Sequence, residues 1–239
     1  MIRENNIIVS HRGIYNNKEV PENSLLAFKK SIKLNYPIEL DVNITKDNIL
    51  IVFHDNNLKR MTSLNKNIND LPYNEIKNLY LLNTKEKIPT LKEVLDLVHG
   101  KVLLNIEIKR TKKYKILIQS LINLLKKYNG KYIIQSFDYR TLLFLKNNYP
   151  NITRGLLITN KKKNKLYNYI KTIISIKLCK INFISISKHL INKNIHIKYI
   201  NKYPTYIWTI NSKEELDKYI NKYNGYICDN LPYSEENSK

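Results

Sequence analysis

Short apolar runs alternate with helical patterns along most of the chain, and this rhythm limits the possible folds more than any other feature. Ile7 to Val9 reads as a buried strand. Ser24 to Leu34 carries Leu25, Leu26, Phe28, Ile32 and Leu34 at helical spacing, after a Pro21-Glu22-Asn23 turn that leads into a cap. Ile38 to Val42 is the next strand. Ile49 to Phe53 is a third short run, reached through Asp47-Asn48, which suits a tight hairpin because Asn tolerates positive φ. From about Asn56 to Ile88 the sequence is polar and weakly periodic, and reads as a small insertion after the second strand. The alternation then resumes with a helix over Leu91 to Val98, a strand over Val102 to Ile108 and a helix over Tyr114 to Lys127. Further strands are expected at Tyr132–Gln135, Gly155–Ile158, Phe183–Ile186, Thr205–Thr209 and Tyr226–Cys228, with helices at Tyr139–Asn147 and Lys213–Lys222 among those between them. About eight strand units predict an α/β protein of the closed TIM (β/α)8 barrel type. An open doubly wound sheet is the alternative, but no Gly-rich dinucleotide fingerprint supports it. The length of 239 residues suits one such barrel, a single domain over 1–239 that includes the insertion at about 56–88.

In a parallel barrel the reactive groups stand at the carboxyl ends of the strands. Four independent segments deliver such groups there: Ser10-His11-Arg12-Gly13, Glu39-Leu40-Asp41, Phe53-His54-Asp55, and Asn105-Ile106-Glu107-Ile108-Lys109. Strand side chains alternate, so Glu39 and Asp41 share one side, as do Asn105, Glu107 and Lys109, while Leu40, Ile106 and Ile108 face the helices. Carboxylates aimed into one barrel mouth repel each other unless a cation lies between them or their pKa values rise. Oxygen donors of this kind suit a hard divalent ion, Mg²⁺ or Ca²⁺. His11 and His54, after separate strands, form a candidate acid/base pair, and Arg12 offers a planar fork for phosphate, with Lys109 a second positive charge. His99, His189 and His196 lack comparable partners and read as structural or exposed.

Lys and Arg outnumber Asp and Glu by 41 to 20, a formal net charge of +21. Such an excess raises the question of a nucleic-acid or anionic-membrane binding protein. The basic residues are dispersed rather than striped; the densest group, Lys161 to Lys163 with Lys165, reads as a solvated loop or helix start. Lys, Asn, Ile and Tyr are all abundant and Gly is scarce at 5 residues, the pattern of an AT-rich coding sequence. No nucleic acid is therefore expected as a partner; the field favours anionic substrates and gives at most a weak attraction to an anionic membrane surface. Carboxylates at the strand ends have no place in a polyanion-binding surface. Cys179 and Cys228 form neither a disulfide framework nor a metal-ligand spacing. No apolar run is long enough for a signal peptide or a spanning helix, so a cytoplasmic location is expected.

The ordered motifs resemble the glycerophosphodiester phosphodiesterase family. The resemblance is carried by His11-Arg12-Gly13 with Pro21-Glu22-Asn23-Ser24 and Ala27-Phe28, then Ile38 to Val42 with Thr45-Lys46-Asp47 and Phe53-His54-Asp55. Leu58, Arg60, Thr62, the block Ile88-Pro89-Thr90-Leu91 with Glu93, and Asn105 to Lys109 follow in order. Ser136-Phe137-Asp138, Trp208 to Asn211 and Cys228 to Pro232 complete it, from about residue 7 to 232. The resemblance implies a TIM barrel of the phospholipase C-like phosphodiesterase type, hydrolysing glycerophosphodiesters to glycerol 3-phosphate and an alcohol. It implies His11 and His54 as the acid/base pair, with Glu39, Asp41 and Glu107 binding Mg²⁺ or Ca²⁺. Arg12 and Lys109 would hold the phosphate, and Glu22 and Asn23 would support the site from the first loop. A phospholipase D-like or lysophospholipase D-like enzyme acting on intact lipids would use similar groups with an added apolar groove. Asn48 stands where the family usually has Gly, Tyr36-Pro37 where it has a small residue and Asp, and Cys228 where it has Thr.

Overall fold

The computed structural model describes residues 6–159, 165–191, 201–229 and 231. Eight parallel strands close into a barrel: β1 (Ile7–Ser10), β2 (Ile38–Ile44), β4 (Leu104–Ile108), β5 (Tyr132–Ser136), β6 (Arg154–Ile158), β7 (Phe183–Ser187), β8 (Thr205–Ile210) and β9 (Gly225–Cys228). Closure comes from β1, which pairs with β9 on one side and with β2 through Ser10 and Ile38 on the other. The remaining strand, β3 (Leu50–Val52), turns back antiparallel on the far end of β2, so it extends the hairpin and is not a barrel stave. The turn uses Asn48 at φ +68°, the left-handed conformation for which its side chain suits it. Around the barrel run α1 (Leu25–Lys33), α4 (Leu91–Val98), α5 (Tyr114–Leu125), α6 (Tyr139–Asn148), α7 (Lys165–Cys179) and α8 (Lys213–Tyr219); the insertion holds two single turns, α2 (Lys59–Thr62) and α3 (Tyr73–Ile76).

Local chemistry explains the boundaries. Ser24 caps α1 by accepting from the Ala27 N–H, and Thr90 with Glu93 forms a reciprocal capping box at the start of α4. Asp138 caps α6 through the Arg140 N–H. The Thr90-Leu91-x-Glu93 and Asp138 motifs are therefore helix starts, a structural role that strand-end reasoning does not distinguish from chemistry. β4 begins at Leu104 rather than Val102, and α5 stops at Leu125 rather than Lys127.

Strand alternation divides the core in two. Outward residues such as Leu40, Ile106, Ile134 and Ile184 pack against the helices in the main cluster. Inward residues Val9, Ile133, Phe183, Tyr206 and Ile227 fill the barrel floor. Gly155 and Gly225 leave the space for this filling: a Cβ on Gly155 would overlap the Phe183 ring, and one on Gly225 the Tyr206 ring. The floor is closely packed, mainly with apolar and aromatic side chains, and the charged side chains stand at the mouth.

The insertion is more organised than its polar composition suggests. Leu58, Met61, Ile68, Leu71, Ile76, Leu81 and Ile88 are buried with Ile51 and Phe53 in a cluster of their own. Their spacing is irregular because the segment consists of single turns and bridges, so no period of 3.6 or 2 develops. Burying each such side chain contributes about 1.5–3 kcal/mol, which holds the segment on the β3 side of the barrel mouth.

Candidate active site

Each charged group at the mouth stands where its strand delivers it. Glu39 and Asp41 are on the inward face of β2, and Glu107 is level with Asp41 on β4. One oxygen from each of the three lies within 4.8 Å of the others, and all three side chains are buried. Burial and the Asp41 charge push the Glu39 carboxyl up to about 8, and burial raises Glu107. Asp41 goes the other way: burial opposes its charge, but Lys109, His54 and Arg12 hold it below the usual carboxylate range. Lys109 Nζ sits 2.7 Å from Glu107 and 3.2 Å from Asp41. This is a cluster with too much negative charge for its solvation, built of hard oxygen donors, and its chemistry fits a divalent cation.

Arg12 and Gly13 both adopt positive φ, which turns the chain sharply at the end of β1. Gly13 has a second constraint, because a Cβ there would approach Ala27 at 2.9 Å. The turn aims the Arg12 N–H at Glu39, at 3.2 Å, and its guanidinium at Glu22 and Asp41, at 2.7 and 3.3 Å. Glu22 is buried and also accepts a fork from Arg60 at 2.6 and 3.0 Å. Asn23, itself left-handed, donates to Asp41 at 2.9 Å. Glu22 and Asn23 thus brace Arg12 and Asp41 from the first loop, where the sequence reading set them.

The two histidines face the same cavity of about 210 Å³. Each presents Nδ1 to a carboxylate: His11 to Asp229 at 2.7 Å, and His54 to Asp55 at 2.6 Å. Burial lowers the His54 pKa. Burial also works against His11, but Asp229 and Glu39 outweigh it and raise its pKa. The other cavity walls are Gln135, Phe137, Leu157, Trp208, Thr209 and Ile227. Phe137 and Trp208 meet edge to face, with ring centroids 5.7 Å apart. Asp41 and Lys109, 3.2 Å apart, do not line this cavity but meet its Glu107 wall through the carboxylate cluster and the Lys109–Glu107 contact.

All nine residues singled out in the sequence are therefore brought to one end of the barrel. Sequence reasoning gave no role to Asp229, Tyr15, Asp55, Gln135, Phe137 or Trp208. Period-two counting along β9 puts Asp229 in line with the inward Ile227, a signal open to anyone reading that strand; nothing local marks Tyr15. His99 is exposed and ends α4 in the left-handed conformation, and His189 is exposed. Lys161 to Lys163 and His196 lie outside the described residues, and so does the side chain of Lys165.

Comparison with known proteins agrees with this geometry. The profile of the Glycerophosphoryl diester phosphodiesterase family matches residues 11–231. A glycerophosphodiester phosphodiesterase of Caldanaerobacter subterraneus is 39% identical over 162 residues, spanning 63% of this chain and 66% of the relative. The crystal structure of a glycerophosphodiester phosphodiesterase from Thermotoga maritima superposes with a TM-score of 0.75 at 27% identity, covering 95% of this chain and 96% of that one. An Oleispira antarctica phosphodiesterase, solved in complex with the product sn-glycerol-3-phosphate, shares the fold with a TM-score of 0.79 at 22% identity, covering 93% and 92%. With the barrel closed, its mouth charged and the family profile running through both, the chain belongs to the glycerophosphoryl diester phosphodiesterase family.

Proposed function

We propose that this protein is a divalent-metal-dependent hydrolase that cleaves glycerophosphodiesters to glycerol 3-phosphate and a free alcohol. The observation that carries the proposal is that two histidines, Arg12, Glu39 and Glu107 line one cavity of about 210 Å³, and that Glu39 and Glu107 join the buried Asp41 in a three-carboxylate cluster at its edge. That volume suits a small polar diester better than an intact lipid. The relative bound to sn-glycerol-3-phosphate supports the same reading. So does the net charge of +21, which draws anions to the mouth.

In this mechanism Glu39, Asp41 and Glu107 hold Mg²⁺ or Ca²⁺, which when bound supplies Lewis-acid neutralisation of phosphate charge. Arg12 meets the phosphate with a guanidinium already oriented by Glu22, so little ordering is left for the moment of reaction. Lys109, held against two carboxylates, adds a second fixed positive charge. Of His11 and His54, one takes a proton from the attacking oxygen and the other protonates the leaving alcohol. If that oxygen is water, glycerol 3-phosphate forms directly; if it is the neighbouring glycerol hydroxyl, a cyclic phosphate forms first and water then opens it to glycerol 3-phosphate. Both present Nε2 to the cavity because each Nδ1 is engaged by a carboxylate. The reading treats residues 1–239 as one catalytic barrel, with the 56–88 insertion bordering the substrate side.

The test is a panel of glycerophosphodiesters, with lysophosphatidylcholine as the lipid member, assayed with and without EDTA for release of the free alcohol, together with glycerol 3-phosphate from the glycerophosphodiesters and lysophosphatidic acid from the lysolipid. Metal-dependent release from glycerophosphocholine or glycerophosphoethanolamine is expected. Cleavage of the lysolipid alone, or activity untouched by EDTA, would overturn the proposal.

A further inference from the structure

The two histidines differ in what stands behind them. Asp55, behind His54, has its second oxygen clamped by the Arg60 guanidinium at 2.6 Å. Asp229, behind His11, meets a neutral donor instead: Tyr15 donates its hydroxyl to the same Oδ1 that faces His11, at 2.9 Å. Arg60 neutralises the charge of Asp55, whereas Tyr15 orients the Asp229 carboxylate and leaves its charge whole. Asp229 is anchored to the barrel itself, since its N–H donates to the Ile210 carbonyl at 2.9 Å and follows β9 directly. Tyr15 comes from the loop after β1, so the pair joins the first and last strands across the closure of the barrel. Neither residue lines the cavity.

An ionised carboxylate only accepts hydrogen bonds, so the proton in the 2.7 Å contact belongs to His11 Nδ1. Nε2 is then the nitrogen on the cavity side, 3.9 Å from Glu39. We propose that Asp229 and Tyr15 are positioning residues for His11: Asp229 selects the Nδ1–H tautomer and the ring orientation, and Tyr15 locks the Asp229 carboxylate. This rests on the hydrolytic role proposed above for His11.

The test combines steady-state kinetics on glycerophosphocholine at saturating Mg²⁺ with long-range ¹H–¹⁵N NMR of the His11 ring. Wild type is expected to show His11 protonated on Nδ1. Asp229→Asn can also donate to Nδ1, so it mixes the tautomers; kcat is expected to fall by about 100-fold or more, as for a histidine held in the wrong tautomer, with KM within about threefold. Tyr15→Phe removes one hydrogen bond and is expected to lower kcat by about three- to tenfold, again with KM held. Three results would each overturn the proposal: a wild-type spectrum with His11 protonated on Nε2, Asp229→Asn retaining kcat, or kcat falling while the tautomer stays as in wild type. If Asp229→Asn does not fold, the wild-type spectrum and the kcat of Tyr15→Phe decide on their own, and an unchanged kcat in the latter rejects its part. A wild-type protein that releases no glycerol 3-phosphate would sink the hydrolase reading, while its spectrum would still decide the positioning.

Discussion

The wall of the cavity built from the first half of the chain carries His11, Arg12, Glu39, His54 and Glu107, whereas the wall from the second half is uncharged and mostly apolar, with Phe137, Leu157, Trp208 and Ile227 beside the polar Gln135 and Thr209. The charged side lies on β1, β2 and β4, which are immediate neighbours around the barrel, with the β3 hairpin beside them. Adjacency matters because three carboxylates can share one cation only within a few ångströms, and only neighbouring strands hold them so close. The apolar side has no such constraint and is spread over β5, β6, β8 and β9. Under the proposed hydrolysis, bond-making and bond-breaking fall to one wall, and the shape that admits the rest of the substrate to the other. Asp229 stands outside this division: it follows the last strand, does not line the cavity, and reaches back to His11 after the first strand.

The strongest way to break this contrast is to remove a group from the charged wall. His54→Ala is expected to lower kcat by about 100- to 10,000-fold, with a melting temperature near wild type, since His54 is one-third exposed. A variant that keeps near-normal turnover would remove the acid/base pair from the mechanism. Next in size is the packed floor. Gly155→Ala forces a methyl group into the Phe183 ring, and overpacking of this kind costs about 1–3 kcal/mol of stability. Chemical denaturation measures it, and an unchanged midpoint would show that the ring moves freely. On the apolar wall, Trp208→Ala is expected to change KM by about tenfold, of the order of one lost aromatic contact, while kcat changes less. If it lowered kcat as far as His54→Ala, the division between the walls would collapse.

The smallest effect concerns the brace between the first loop and the insertion. Burial works against the Glu22 charge, but Arg60 and Arg12 hold its pKa below the ordinary 4.5. Asp55 is likewise lowered from 3.8, chiefly by Arg60 against its own burial. Groups with depressed folded values contribute stability that is whole above the unfolded pKa and disappears as pH falls through the folded one. Thermal stability is therefore expected to be flat in this respect above about pH 5 and to decline below pH 4.5, and Arg60→Met should flatten that decline. An identical acid limb in the variant would mean that the brace does not couple the two segments.

Much of this molecule was legible in the chain before folding was considered. Strand alternation identified the inward set Glu39, Asp41, Glu107 and Lys109, because a period of two leaves no other face. The hairpin turn at Asn48 followed from a residue type that, after Gly, accepts its backbone angle readily. The insertion was legible as an interruption, but its buried cluster was not, since Leu58, Met61, Ile68 and Ile76 lack any period that a linear reading could detect.

What the sequence alone determined, then, was which side chains share a strand face and which lie at strand ends, because those properties depend on neighbours one or two residues away. Only the tertiary structure decided which strand ends meet. Tyr15 and Asp229 are 214 positions apart, yet 2.9 Å separates their oxygens, since closing the barrel lays the last strand against the first. Arg60 reaches Glu22 across 38 positions for the same kind of reason, through an insertion whose packing no local pattern encodes. His11 and His54 become comparable sites only at this level, because what differs between them is the donor behind each aspartate, and that donor comes from a distant part of the chain.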